Sequence, residues 1–168
     1  MPILYFFSVW LHILAATVWI GGMFFLVLVV VPWLRGGGRV DAGKFLRETG
    51  ERFSRVGWVC FGVLLVTGTF NLWVRGVRFG DFVDPQWLRS PFAHSVLSKL
   101  ALFVLVLSVS SYHDFVIGPR ATRAIAHDPR SSESERLRKS ASRWGRVNAL
   151  LALLLVAVAV SLVRGRPF

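Results

Sequence analysis

Four stretches of the sequence contain no lysine, arginine, aspartate or glutamate: residues 1–34, 56–74, 100–113 and 147–163. A helix on the surface of a soluble protein carries polar residues along one face, and these stretches do not show that pattern. The hydrocarbon core of a bilayer is about 30 Å thick and needs about 20 apolar helical residues to cross it. The third stretch reaches that length when Lys99 and its upstream neighbours are included. The missing charge therefore predicts an all-α protein, a four-helix bundle that crosses the membrane.

Cysteine is almost absent, since Cys60 is the single one, and this excludes an intrachain disulfide. The sequence also contains no zinc signature, serine–histidine triad or phosphate loop. Met1, Met23 and Cys60 are soft ligands that suit copper, but they form no Met-rich or Cys-x-x-Cys cluster. The first apolar stretch has no basic residues before it and is too long for a signal peptide, so we expect a permanent first helix.

Charge divides the chain into spans and loops. We expect one transmembrane domain over residues 1–168, in which basic loops connect four helices. The expected helices cover about 3–31, 56–74, 92–117 and 147–163, and the basic loops cover 32–55 and 118–146.

Most of the positive charge lies in the first and third loops, within a net charge of +11. Such loops stay in the cytoplasm, so both termini are expected on the outer side of a bacterial inner (plasma) membrane, in the periplasm if the cell is Gram-negative. The lipid bilayer accounts for the charge, and no nucleic-acid motif accompanies it. A homodimer is a further expectation, because small bundles often dimerise.

Several local signals mark helix ends. Ser90-Pro91 is typical of a helix start. Gly118-Pro119 is expected to end or kink the third helix. Ser132 and Glu135 have the spacing of a capping box, which predicts a basic helix leading into the fourth span. Asn148 is expected to hydrogen-bond Tyr112 or His113.

His12 is the most informative polar residue, because an ionisable group in the hydrocarbon is costly. It lies about two and a half turns into the first helix, in the outer half of the membrane. Ala15, Ala16, Trp19 and Met23 share its helical face. Two alanines beside a histidine leave room for a flat ligand or for a close neighbouring helix. We therefore expect His12 to bind a metal or cofactor; the alternative is a hydrogen bond across the bundle.

Lys99, His94 and His113 are further candidates for cofactor binding. Lys99 lies near the depth of His12 and would hold an anionic group such as a propionate, unless its ammonium snorkels to the interface. His94 lies at the outer rim and is the candidate second metal ligand beside His12. His113 lies about 28 Å further along the helix than His94, so these two cannot share one small ligand. A large group would be needed to connect His113 with His12.

Several short motifs follow one another along the chain. They are Leu11-His12-Ile13-Leu14 with Trp19-Ile20-Gly21-Gly22, then Arg52-Phe53-Ser54-Arg55, Thr67-Gly68 and Lys99-Leu100. In their order and spacing they resemble the helix landmarks of a known family, the copper-resistance protein D (CopD) family. This resemblance implies copper transport or copper handling, with a periplasmic copper carrier as a possible partner.

The related HemJ-type protoporphyrinogen oxidases share the compact architecture. His12, Lys99, Tyr112-His113 and the terminal Pro167-Phe168 are similar to features of that group. This second resemblance implies a small haem b protein, with His12 as an axial ligand, Lys99 near a propionate and a quinone as electron acceptor. Copper or haem b is thus the expected ligand, CopD is the closer match, and enzymatic activity stays open.

Overall fold

The computed structural model describes residues 2–36, 42–128 and 130–164, and all regular structure in these ranges is helical. The α-helices are α1 (Pro2–Phe25), α2 (Val31–Gly36), α3 (Ala42–Val74), α4 (Pro85–Leu88), α5 (Pro91–Tyr112), α6 (Gly118–His127) and α7 (Ser132–Arg164). π-helical turns cover Leu26–Val30 and His113–Ile117, and a 3₁₀ turn covers Phe79–Val83.

Four helical segments are long and apolar enough to cross a membrane. They cover Pro2–Trp33, Arg47–Val74, Pro91–His127 and Ser132–Leu162. Large apolar side chains cover their outer surfaces, including Ile3, Val59, Val66 and Leu150, each more than half exposed. So much exposed apolar surface is typical of a protein solvated by lipid. The predicted all-α architecture with four spans is therefore confirmed.

The helices extend beyond the charge-free stretches into the segments expected to be loops. α3 begins at Ala42 rather than near residue 56, and the basic helix predicted from Ser132 is continuous with the fourth span as α7. Lysine, arginine and glutamate are good helix formers, so loss of hydropathy marks the edge of the apolar span and not the end of the helix. The cap of α7 is Ser131, one residue earlier than predicted, because the Ser134 N–H donates to Ser131 Oγ at 3.2 Å.

Each π-helical turn stands just before a proline. The N–H of Val31 donates to the Leu26 carbonyl before Pro32, and the N–H of Gly118 donates to the His113 carbonyl before Pro119. Proline removes one helical hydrogen bond and crowds the preceding turn. The wider π turn accommodates that crowding, so the third span continues into α6 instead of ending at Gly118.

The bundle is held by two main helix pairs, α1 with α3 and α5 with α7. The core between them contains Trp19, Met23, Phe61 and Ala152, all buried. The rings of Trp19 and Phe61 lie 4.9 Å apart. Burial of Ala15, Trp19 and Met23 places the predicted face of α1 against the bundle interior, and this orients His12 toward α3.

The connection before α5 is short and capped. Asp84 accepts a hydrogen bond from the Gln86 N–H at the start of α4, and Ser90 Oγ accepts one from the Ala93 N–H at 3.1 Å. The predicted helix start at Ser90-Pro91 is therefore confirmed. Because this cap fixes the first turn of α5, it also fixes the position of Lys99 two turns later.

Candidate functional site

His12 contacts α3 through its Nδ1 atom. Nδ1 lies 2.8 Å from Thr67 Oγ1, between residues 55 positions apart in the chain. Thr67 Oγ1 in turn donates to the Val63 carbonyl at 2.6 Å. Ser8 Oγ reaches the Thr67 carbonyl at 3.4 Å. Two side chains of α1 thus hold the same turn of α3.

These hydrogen bonds define the tautomer of neutral His12. A threonine hydroxyl has a single hydrogen, and here Val63 accepts it. Towards His12 the hydroxyl is therefore an acceptor, so Nδ1 carries the imidazole proton. Nε2 then carries the lone pair. An imidazole oriented through one nitrogen, with the other available, is the usual arrangement of a histidine that binds a metal.

Gly68 makes this close approach possible. A Cβ atom at Gly68 would lie 3.3 Å from His12 Cε1, tighter than most van der Waals contacts. The Thr67-Gly68 pair therefore has two complementary functions: threonine accepts from the ring, and glycine leaves space beside it. Small residues commonly allow such approaches between membrane helices.

Lys99 lies close enough to His12 for its positive charge to act on the imidazole. Arg75, the residue after α3, lies close enough to Lys99 for the two positive charges to repel each other. Lys99 is partly buried rather than fully extended into solvent. Lys99 on α5 thus lies within electrostatic range of His12 on α1.

Two other candidate histidines, His94 and His113, lie elsewhere on the third span. His94 is exposed on the first turn of α5, five residues before Lys99, which is about 8 Å along the helix. His113 lies on the π turn at the other end of the bundle, with Nδ1 2.9 Å from Asp114 Oδ1. Within the described ranges, no group of three or more histidine, cysteine, aspartate or glutamate residues is placed to bind a metal.

A second polar cluster surrounds Asp114 and was not predicted from the sequence. Ser54 Oγ donates to Asp114 Oδ2 at 2.5 Å, and Trp58 Nε1 donates to the same oxygen at 3.2 Å. His113 contacts the other carboxylate oxygen, and the Asp114 side chain is only 18% exposed. The carboxylate therefore joins α3 to the π turn of the third span.

One signal in the sequence pointed to this cluster. Ser54 and Trp58 are four residues apart, so they share a face of α3, and Phe61 continues it. Asp114 is the single acidic residue between residues 85 and 127. Their pairing depends on how α3 packs against the π turn, and hydropathy gives no information on that contact.

Asn148 has a different partner from the one expected. Its Nδ2 donates to Ser110 Oγ at 3.0 Å, rather than to Tyr112 or His113. Tyr112 instead packs edge-on against Trp144, with ring centroids 5.2 Å apart. The prediction failed because residue 110, not 112 or 113, faces α7 at that level. The terminal pair Pro167-Phe168 lies outside the described residues.

The arrangement can therefore do two kinds of chemistry at separate places. The His12 site offers one neutral nitrogen lone pair beside a cation, and the Asp114 cluster offers a carboxylate with three donors. Thr67 and Ser54 are 13 residues apart on α3, so the two sites are separated by about 20 Å along the helix.

Comparison with known proteins identifies the family. The family model for copper resistance protein D matches residues 47–162. A protein of Aquifex aeolicus (strain VF5), described as an uncharacterized protein, is 33% identical over 156 residues, which is 92% of each chain. No solved structure gives a significant match. The chain is a multi-pass membrane protein that belongs to the copper resistance protein D family.

Proposed function

We propose that this protein transfers copper at a bacterial inner membrane and that His12 Nε2 binds the ion on the outer side. Membership of a copper-resistance family supports a role with this metal. The observation that carries the proposal is the pair of hydrogen bonds that fixes the His12 tautomer. Imidazole nitrogen is a suitable ligand for copper.

The donor set favours passage of copper over permanent storage. His12 is the one histidine beside Thr67, and the described residues contain no cluster of three metal ligands. A single imidazole holds an ion briefly, and the positive charge of Lys99 favours its release. Copper is therefore the cargo, supplied on the outer side by a periplasmic copper carrier.

The proposed orientation places both termini outside. The basic segments between the first and second spans, and between the third and fourth, stay in the cytoplasm by the positive-inside rule. His12 then lies in the outer half of the membrane and Asp114 towards the inner side. Copper from a periplasmic carrier would meet His12 first.

Copper uptake into proteoliposomes tests this function. We expect uptake above protein-free vesicles for the wild type, loss of that uptake for His12→Ala, and wild-type uptake for His94→Ala, the exposed control histidine. Equal uptake by wild-type and His12→Ala proteoliposomes, with equal protein insertion, would contradict the proposal.

Haem b is the second candidate, favoured by one observation. His12 supplies a single oriented nitrogen, which suits an axial ligand, and Lys99 supplies a cation near it, which suits a propionate. Bound haem would supply one-electron chemistry, with a quinone as the acceptor. Protein purified from haem-replete cells would then show a Soret band that is lost in His12→Ala. Colourless wild-type protein would exclude this candidate.

A further inference from the structure

A basic cavity of about 500 Å³ lies between the α5–α6 region and the first turns of α7. Its walls carry Tyr112, Ile117 and Arg120 on one side and Arg136, Lys139 and Arg143 on the other. It is at the opposite end of the third span from Lys99 and contains none of the residues of the His12 site. It therefore needs a separate explanation.

The cavity has a surplus of positive charge. Glu135 also lines it, but Lys139 pairs with that carboxylate at 2.7 Å. The structure records no acidic partner, among the residues it describes, for Arg120, Arg136 or Arg143. All three arginine side chains are exposed, so an anion can reach them.

The helical register directs these arginines into one space. Arg136 and Arg143 are seven residues apart, two turns along one face of α7. Arg120 faces them from α6. A guanidinium group presents its N–H donors in a planar fork that matches two oxygens of a phosphate. Three such groups around one cavity suit a phosphate ester better than a carboxylate of a small metabolite.

The cavity also lies at a boundary between apolar and polar surface. Tyr112 is on its wall, and its ring packs against Trp144 at 5.2 Å. Tyrosine and tryptophan favour the headgroup level of a bilayer. Phe115, on the adjacent π turn, is 67% exposed, which is typical of a side chain in contact with lipid. A phosphate held by the arginines would thus have apolar helix surface beside it for acyl chains.

We propose that this cavity is a binding site for the phosphate headgroup of an anionic phospholipid. The shared chemistry is a phosphate held by Arg120, Arg136 and Arg143, and its source is the lipid rather than soluble phosphate. The bound lipid would join α6 to α7 at the basic end of the bundle. This inference does not depend on whether the protein handles copper or haem.

Lipid titration of the purified full-length protein, followed by native mass spectrometry in detergent, tests the site. The probes are phosphatidylglycerol, phosphatidylcholine and inorganic phosphate. We expect the wild type to retain phosphatidylglycerol in preference to phosphatidylcholine. Arg136→Gln/Arg143→Gln should weaken phosphatidylglycerol binding about 100-fold, at roughly tenfold for each charge-assisted hydrogen bond to the phosphate that is lost.

A charge-matched control separates a site from general attraction. Arg123→Gln/Arg146→Gln removes the same two charges from exposed arginines that do not line the cavity. Among the described residues, each of these side chains bonds a carbonyl of its own helix. We expect less than a threefold effect on phosphatidylglycerol binding. Arg120→Gln supplies a second site variant on the other wall, with about a tenfold loss.

Three outcomes would overturn the proposal. Equal losses in the site and control double variants would show diffuse surface charge. Equal retention of phosphatidylcholine would show that the phosphate charge is not selected. Displacement of phosphatidylglycerol by millimolar inorganic phosphate, with phosphate itself retained, would assign the cavity to a soluble ligand. Circular dichroism of each variant confirms that it has folded.

Discussion

The ring of Phe53 on α3 packs directly over Gly22 on α1. A Cβ atom built on Gly22 would lie 2.5 Å from Phe53 Cε2, a distance that real Cβ atoms do not tolerate. Gly22 and Phe53 are far apart in the sequence, and this contact joins the segments that contain them. The glycine lets α1 approach α3, and the approach in turn positions the His12–Thr67 pair farther along the same interface.

Replacement of Gly22 by alanine is therefore expected to destabilise the bundle. The Phe53 ring is partly buried against the core and must move, which costs about 1–3 kcal/mol of the free energy of unfolding. Gly21→Ala is the matched control, because nothing lies within 4 Å of its added Cβ. We expect the control to be neutral or stabilising by up to about 1 kcal/mol. Unfolding in mixed detergent–SDS micelles measures both, and equal destabilisation by the two variants would refute the contact.

The spans were predictable because the bilayer imposes a simple rule on composition. A charge-free run of helical length has few alternatives to a membrane span, and the positions of His12 and Lys99 along their runs place them at similar depths. The structure adds the fact that they lie within electrostatic range of each other. Helix ends were less predictable, since α3 and α7 continue well past the apolar residues.

The Asp114 cluster could not be predicted, because its partners are far apart in the sequence. Ser54 and Trp58 are 60 and 56 residues from Asp114. Their contact depends on the rotation of α3 and on the π turn, which changes the direction of every side chain after Tyr112. Hydropathy indicates neither the rotation of α3 nor the presence of the π turn. The Asn148 prediction failed for a related reason, as it required the rotation of α5 relative to α7.

Removal of either donor to Asp114 is expected to lower the free energy of unfolding, and the two losses are expected to be non-additive. Ser54→Ala should lower the free energy of unfolding by about 1–3 kcal/mol, because it removes a donor to a mostly buried carboxylate. Ser108→Ala is the control, since exposed Ser108 bonds, among the described residues, the Val104 carbonyl of its own helix. We expect the control to change stability by less than about 0.5 kcal/mol.

Trp58→Phe tests the second donor to the same oxygen. It keeps an aromatic ring against Phe61 but removes the N–H. In a double-mutant cycle with Ser54→Ala, we expect a coupling of about 0.5–3 kcal/mol because both groups donate to Asp114 Oδ2. Strict additivity of the two losses in the free energy of unfolding would show that the shared oxygen does not link them.

The tautomer of His12 is the sharpest prediction about the candidate site. Since Thr67 passes its single hydroxyl hydrogen to Val63, neutral His12 must donate from Nδ1. Nitrogen NMR of protein labelled at histidine should show a protonated Nδ1 and an unprotonated Nε2 for this residue in metal-free protein. Thr67→Val removes the acceptor and should produce a mixture of tautomers, whereas Thr67→Ser keeps it and should preserve the wild-type spectrum.

Addition of copper to the same labelled protein tests Nε2 as the ligand atom. The Nε2 resonance should change first in the wild type. Copper binding should weaken in Thr67→Val by about 10- to 100-fold, as is usual when the partner of a ligating histidine is lost. A wild-type spectrum with the proton on Nε2 would remove the basis for His12 as a ligand through that atom.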